Sequence, residues 1–172
     1  MIDEATRREQ DREWDMMRDL AETYIPRFRG EYAFLSNMYD APVTYNGVTY
    51  GSAEAAFQAQ KAAPEVREKL FGNASGKEAR RLGRKVLLDE RQLQDWNNAK
   101  DHIMREIVEQ KFRENPELGR KLAKLHDAYI EEVNTWGDDY WGLVDDAGVF
   151  YGENRFGKIL MQVAQEIYRE QD

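Results

Sequence analysis

Residues 43–63 read VTYNGVTYGSAEAAFQAQKAA, from Val43 to Ala63. Two runs of β-branched and aromatic side chains, Val43-Thr44-Tyr45 and Val48-Thr49-Tyr50, flank Asn46-Gly47. Asparagine and glycine both tolerate positive φ, as a type I′ turn requires, so the stretch predicts a two-residue β-hairpin. Ser52 follows with a hydroxyl suited to an N-cap, and Ala53–Ala63 continues as a helix. A hairpin running straight into a helix calls for a small antiparallel sheet packed on helices. The predicted fold class is α+β, helix-dominated, in a single domain.

Downstream, Pro64 can open a short helix ending near Gly72, and Ser75 with Glu78 forms a capping box for the next one. Asp89 caps a long helix through Trp96, Ile103, Ile107 and Phe112. Asn115-Pro116 breaks it and opens another over residues 116–125. Tyr129-Ile130-Glu131 reads as a strand, residues 134–153 as a structured loop, and about 157–168 as a final helix. Upstream, Trp14, Met17 and Ala21 recur at helical spacing through residues 1–25, and Pro26 stops that run. Residues 1–26 therefore form an N-terminal helical extension, and residues 27–172 the domain proper.

With 172 residues, 41% hydrophobic and 34% charged, the chain suits one folded domain. No apolar run approaches the roughly 18 residues of a membrane span, and the first twenty residues are too charged for a secretory signal. The expected location is the cytoplasm, with no membrane partner. The absence of cysteine removes disulfides, thiolate nucleophiles and iron–sulfur ligation. His102 and His126 lack metal-ligand spacing, so no metal and no cofactor is expected. The net charge, 25 minus 33 or −8, argues against gripping duplex nucleic acid over the whole surface. The densest basic stretch, Lys77, Arg80, Arg81, Arg84 and Lys85, spreads over more than one helix face and reads as solvated surface.

Glu54 and Lys61 are the only charges in residues 52–63, with Gln58 between them on one stripe. Seven residues of helix would separate their Cα atoms by about 10.5 Å. A carboxyl and an amine converging on one point supply an acid/base and a nucleophile, and burial can lower the amine's pKa. On spacing alone the pair also reads as a solvated helix face. Phe34-Leu35-Ser36-Asn37-Met38-Tyr39 brackets a short polar pair with aromatics, as suits either a ring-stacking pocket or a turn. Asn134–Gly142 holds two tryptophans and is expected to be ordered, with Asp138 free to accept from ribose hydroxyls or to cap the loop. Gly152–Gly157 loosely resembles an anion-binding helix start. No nucleophile elbow, Walker loop or dinucleotide fingerprint is present.

Taken in order, these segments resemble the NADAR, or YbiA-like, family over about residues 27–168. The resemblance is carried by Phe28-Arg29-Gly30, Phe34–Tyr39, the hairpin with Gly47 and Tyr50, and Ser52-Ala53-Glu54 with Phe57–Lys61. It continues through Trp96-Asn97, Met104, Lys111-Phe112, Ile130-Glu131, Asn134–Asp138, Trp141-Gly142, Gly152-Glu153-Asn154 and Gly157–Met161. It implies an N-glycosidase in which Lys61 forms a Schiff base with the ribose anomeric carbon and Glu54 handles protons. The expected substrate is ADP-ribosylated guanine in DNA or nucleotides, in a role opposing a DNA-modifying toxin. Alternatives are early riboflavin-pathway intermediates, or a non-catalytic ADP-ribose-binding module. Phe34, Asn37, Gln58, Asp138 and Trp141 are the expected pocket residues, with Asn154 near the phosphates or holding the last loop. Two positions depart from the family pattern: Ala55 stands where many members have histidine, and Gln162–Gln165 lacks the family's arginine.

Overall fold

The residue before a proline is driven to extended backbone, and Ile25 precedes Pro26. In the computed structural model, which describes residues 2–171, the first helix accordingly stops short of residue 25. Helix α1 covers Glu4–Leu20, capped by Asp3, and strand β1, Tyr24–Ile25, follows it. No residue of α1 is fully buried, although Trp14, Met17 and Ala21 lean on the core.

The hairpin forms as read. β2 (Asp40–Tyr45) and β3 (Val48–Ser52) pair antiparallel around Asn46 (φ 48°) and Gly47 (φ 82°), both left-handed as a type I′ turn demands. Ser52 then caps α2 (Ala53–Ala59), its Oγ accepting from the Ala55 N–H at 3.1 Å. Every residue of α2 is buried, which four alanines in seven permit by letting neighbours approach its backbone closely. α3 (Pro64–Phe71) and α4 (Gly76–Lys85) follow, then α5 (Glu90–Glu114), whose start is fixed by a reciprocal Asp89–Gln92 capping box. At Ser75 only the serine half of the expected box is made, from its Oγ to the Glu78 N–H. α6 (Pro116–Ala123) begins at the predicted Asn-Pro break.

The last third differs from the sequence reading. β4 (Tyr129–Ile130) pairs parallel with β1. The expected loop 134–153 contains β6 (Leu143–Asp146) and β7 (Val149–Gly152), a hairpin whose edge pairs parallel with β5 (Val133–Asn134). Its turn uses Ala147 (φ 51°) and Gly148 (φ 88°). Alanine is a poor left-handed residue, so this hairpin carries no clear signal. Instead of one antiparallel sheet the described residues form three small ones, two of them with parallel pairs between distant segments. Helix α7 (Arg155–Glu170) closes the chain and packs its apolar stripe on α5, α6 and β4. Among the described residues no helix is long and apolar enough to cross a membrane.

Candidate active site

The buried helix α2 presents one carboxylate. Glu54 is 5% exposed; its Oε1 accepts from Gln58 Nε2 at 2.9 Å and lies 3.3 Å from Arg80 Nε. Its Oε2 has no hydrogen-bond partner among the described residues and is not sealed from the cavity beside it, so one carboxylate oxygen stays available. Lys61 reaches the same cavity, but not as a seventh residue on a straight helix. After Ala59 the chain tightens: Gln60, Lys61 and Ala62 donate their N–H groups three residues back instead of four. Lys61 therefore stands on the turn just beyond α2, its Nζ 5.6 Å from the centre of the Trp96 ring. Burial pushes its pKa below the ordinary lysine value; the Glu54 carboxylate opposes the shift, while Lys100 and Arg84 add to it.

The cavity encloses about 260 Å³. One wall is the segment Ser36–Met38. Its backbone is fixed by Lys111, whose Nζ donates to the carbonyls of Phe34 (2.7 Å) and Ser36 (2.8 Å), and by Asn37 O, which accepts the Glu54 N–H at 2.9 Å. Lys111 is 1% exposed, and burial lowers its pKa to about 7. Asn37 turns Nδ2 toward Met104 Sδ and leaves Oδ1 buried with no partner among the described residues. The aromatic floor is Phe57, edge-on to Trp141 at 5.8 Å and tilted against Trp96 at 5.0 Å.

A second wall comes from α4, whose face of Gly76, Ala79 and Gly83 is buried. A Cβ on Gly83 would fall 2.0 Å from Gln58 Oε1, so only glycine lets α4 and α2 meet here. That contact carries Arg80 and Arg84 to the cavity. Reading the whole basic stretch as solvated surface was therefore wrong for Arg80, which is half-buried; Lys77, Arg81, Arg84 and Lys85 are exposed as expected, with Arg84 also reaching the cavity. The third wall is the segment 132–141. Asp138 caps its own turn, with Oδ1 accepting from the N–H groups of Tyr140 and Trp141, and Asn134 brackets Asp138 from both sides.

The cavity thus unites Glu54, Lys61, Asn37, Gln58, Asp138 and Trp141. Two expected pocket residues lie elsewhere. Phe34 is a core residue packed edge-on against Phe112 at 6.3 Å; it contributes only the carbonyl that Lys111 holds. Asn154 is 3% exposed and left-handed at the start of α7, where it clamps β4 by accepting from Glu132 N–H and donating to Ile130 O. It holds the last loop and does not line this cavity, the second of the two roles expected for it.

Sequence reasoning missed Glu132, Arg80, Arg84, Met104 and Trp136, all of which line the cavity. The Gly76-x-x-Ala79-x-x-x-Gly83 spacing marks a packed face of α4 and was the available signal for its arginines. Glu132 had none. Its carboxyl is pushed up to about 8, first by burial and then by the Asp138 and Glu54 carboxylates, against Arg80. Among the described residues no three acidic or histidine side chains converge as a metal site needs.

The NADAR domain family model matches residues 24–168, beginning after α1. The chain is 33% identical over 138 residues to the N-glycosidase YbiA of Escherichia coli, covering 80% of this chain and 82% of that one. It is likewise 33% identical over 137 residues to a riboflavin biosynthesis protein of Vibrio vulnificus, covering 79% of this chain but only 36% of that longer protein. Its fold is similar to the solution NMR structure of E. coli YbiA, with a TM-score of 0.71, 30% identity, and coverage of 88% and 89% of the two chains.

Proposed function

The chain belongs to the NADAR family, and from that premise we propose that it is an N-glycosidase that uses Lys61 as nucleophile and Glu54 as proton carrier. One observation carries this reading: a lysine amine with a lowered pKa and a free carboxylate oxygen open onto the same cavity. A base joined to ribose C1 through nitrogen is an aminal. The neutral Lys61 amine attacks C1 and the C1–N bond breaks, its electron pair leaving with the nitrogen, which takes up a proton that the water of the later step replaces. Glu54 takes the proton that Lys61 sheds and returns it to the ring oxygen as the sugar opens to an imine. Water then adds to C1, and the sugar is released.

The substrate class follows from size and charge. About 260 Å³ holds a ribose with part of its base; that is below the roughly 300–1,000 Å³ usual for drug-sized ligands. Arg80 and Arg84 supply guanidinium groups for a phosphate. A phosphorylated ribosylamine such as an early riboflavin-pathway intermediate fits this volume, and the riboflavin name of one relative supports it. The second reading is ADP-ribosylated guanine in DNA, with a role in reversing a toxin's modification. The basic face of α4 favours it, since Lys77 continues the line of Arg80 and Arg84 away from the cavity, a path for a diphosphate.

Incubation with each substrate, followed by mass spectrometry, tests both. The first reading expects a free aminopyrimidine and ribose 5-phosphate. The second expects ADP-ribose and unmodified DNA. Release from neither removes the glycosidase reading.

A further inference from the structure

We propose that Glu132 is a second catalytic carboxyl, the donor of the proton that the leaving nitrogen takes. The proposal rests on the N-glycosidase reading above and divides its acid and base work between two residues.

Glu132 is held in place by its backbone. Its N–H donates to Asn154 Oδ1 at 3.0 Å and its carbonyl accepts from Leu143 N–H at 2.8 Å. A Cβ on Gly142 would lie 2.1 Å from that carbonyl, so the neighbouring strand packs on it directly. Its carboxyl lines the cavity, and it is neither bonded to another described residue nor sealed from the open space. The charged groups sharing that space are Glu54 and Lys61 from the α2 segment, Arg80 and Arg84 from α4, and Asp138 from the same loop.

The two acids of the cavity differ in their surroundings. Glu54 is the carboxylate partner of Arg80 and also accepts from the Gln58 amide. Glu132 has no such donor; burial and its two carboxylate neighbours keep the proton on it up to about pH 8. Two carboxyls in one cavity with different partners are how a site divides acid and base work. As Lys61 Nζ bonds to C1 and the C1–N bond breaks, the leaving nitrogen keeps the electron pair and takes the Glu132 proton. The proton shed by Lys61 goes to Glu54 and on to the ring oxygen. When water adds to the imine carbon, it gives one proton to the Glu132 carboxylate, which restores the acid. Glu54 relays the other from oxygen to Nζ as the lysine leaves.

The test combines a titration with a leaving-group comparison. Carboxyl carbon NMR of the intact protein should show Glu132 titrating near 8; a midpoint near the ordinary 4.5 overturns the proposal. Glu132→Gln should slow cleavage of an aniline N-riboside 5-phosphate by roughly 10²–10⁴-fold. It should slow 4-nitrophenyl riboside 5-phosphate less than about 10-fold, because nitrophenolate leaves without a proton. Lys61→Arg should lose both activities. Equal losses on both compounds in Glu132→Gln overturn the donor role alone. A wild-type protein that cleaves neither compound overturns the glycosidase reading, and the donor role with it.

Discussion

Lys111→Met separates two opposing contributions of one buried amine. Lys111 Nζ donates to Phe34 O at 2.7 Å and Ser36 O at 2.8 Å, and a neutral amine has two hydrogens, one for each. Methionine fills similar space and donates nothing. Each buried carbonyl left without a partner costs about 1–3 kcal/mol, or roughly 2–6 kcal/mol together. The charge works the other way. Burial lowers the folded pKa from 10.5 to about 7, so between those values the unfolded chain binds more protons, and wild-type stability rises with pH. Below about 7 the folded protein carries a buried ammonium whose desolvation methionine avoids. The destabilisation caused by Lys111→Met should therefore grow by about 3 kcal/mol from about pH 6 to about pH 9. Urea unfolding of both proteins at several pH values in that window measures it. A difference that stays flat across the window would refute the depressed pKa. A Michaelis constant unchanged by the substitution would refute the idea that Lys111 sets the Ser36–Asn37 wall.

Other substitutions test other parts of the account. Gly83→Ala puts a Cβ 2.0 Å from Gln58 Oε1. Overpacking of about 1–3 kcal/mol should outweigh the roughly 1 kcal/mol that alanine gains in a helix, and Gln58 should leave Glu54; an unchanged unfolding midpoint with full activity would show that Gln58 moves freely. Arg84→Gln should raise the Michaelis constant of a phosphorylated riboside about 10-fold and spare its dephosphorylated form, as expected for one charge-assisted hydrogen bond. Equal effects on the two forms would remove Arg84 from phosphate binding. Ala147→Gly relieves an exposed left-handed alanine and should raise stability by about 1 kcal/mol in thermal unfolding; a loss would mean the turn is not strained.

Local chemistry explains which parts were legible in the sequence. Asn46-Gly47 and Ser52 act on their immediate neighbours, so the first hairpin and the start of α2 could be read directly. The β1–β4 and β5–β6 pairings join segments with no local signature, and Ala147 disguises the second hairpin. The same divide runs through the cavity. Glu54, Lys61 and Gln58 belong to one short segment, where spacing alone left a converging pair and a solvated face both open and the family resemblance favoured convergence. The α4 arginines depend on how α4 meets α2, which Gly83 permits, and Glu132 on how the chain before β6 packs on its carbonyl, which Gly142 permits; no periodicity announces either. Phe34 was misplaced because an aromatic beside a polar pair looks the same whether it faces a ligand or the core. Lys111 sat in a motif of the resemblance, but its task, holding two carbonyls, is visible only once the 34–36 turn lies over α5.

The central claim is that the Lys61 amine bonds to the sugar. Borohydride added during turnover of a ribosylamine 5-phosphate should reduce the imine and leave the mass of one pentitol phosphate on the peptide containing Lys61. The label should disappear in Lys61→Arg, whose guanidinium stays protonated, together with turnover. An unlabelled Lys61 under rapid turnover, a label on another lysine, or an active Lys61→Arg would contradict it.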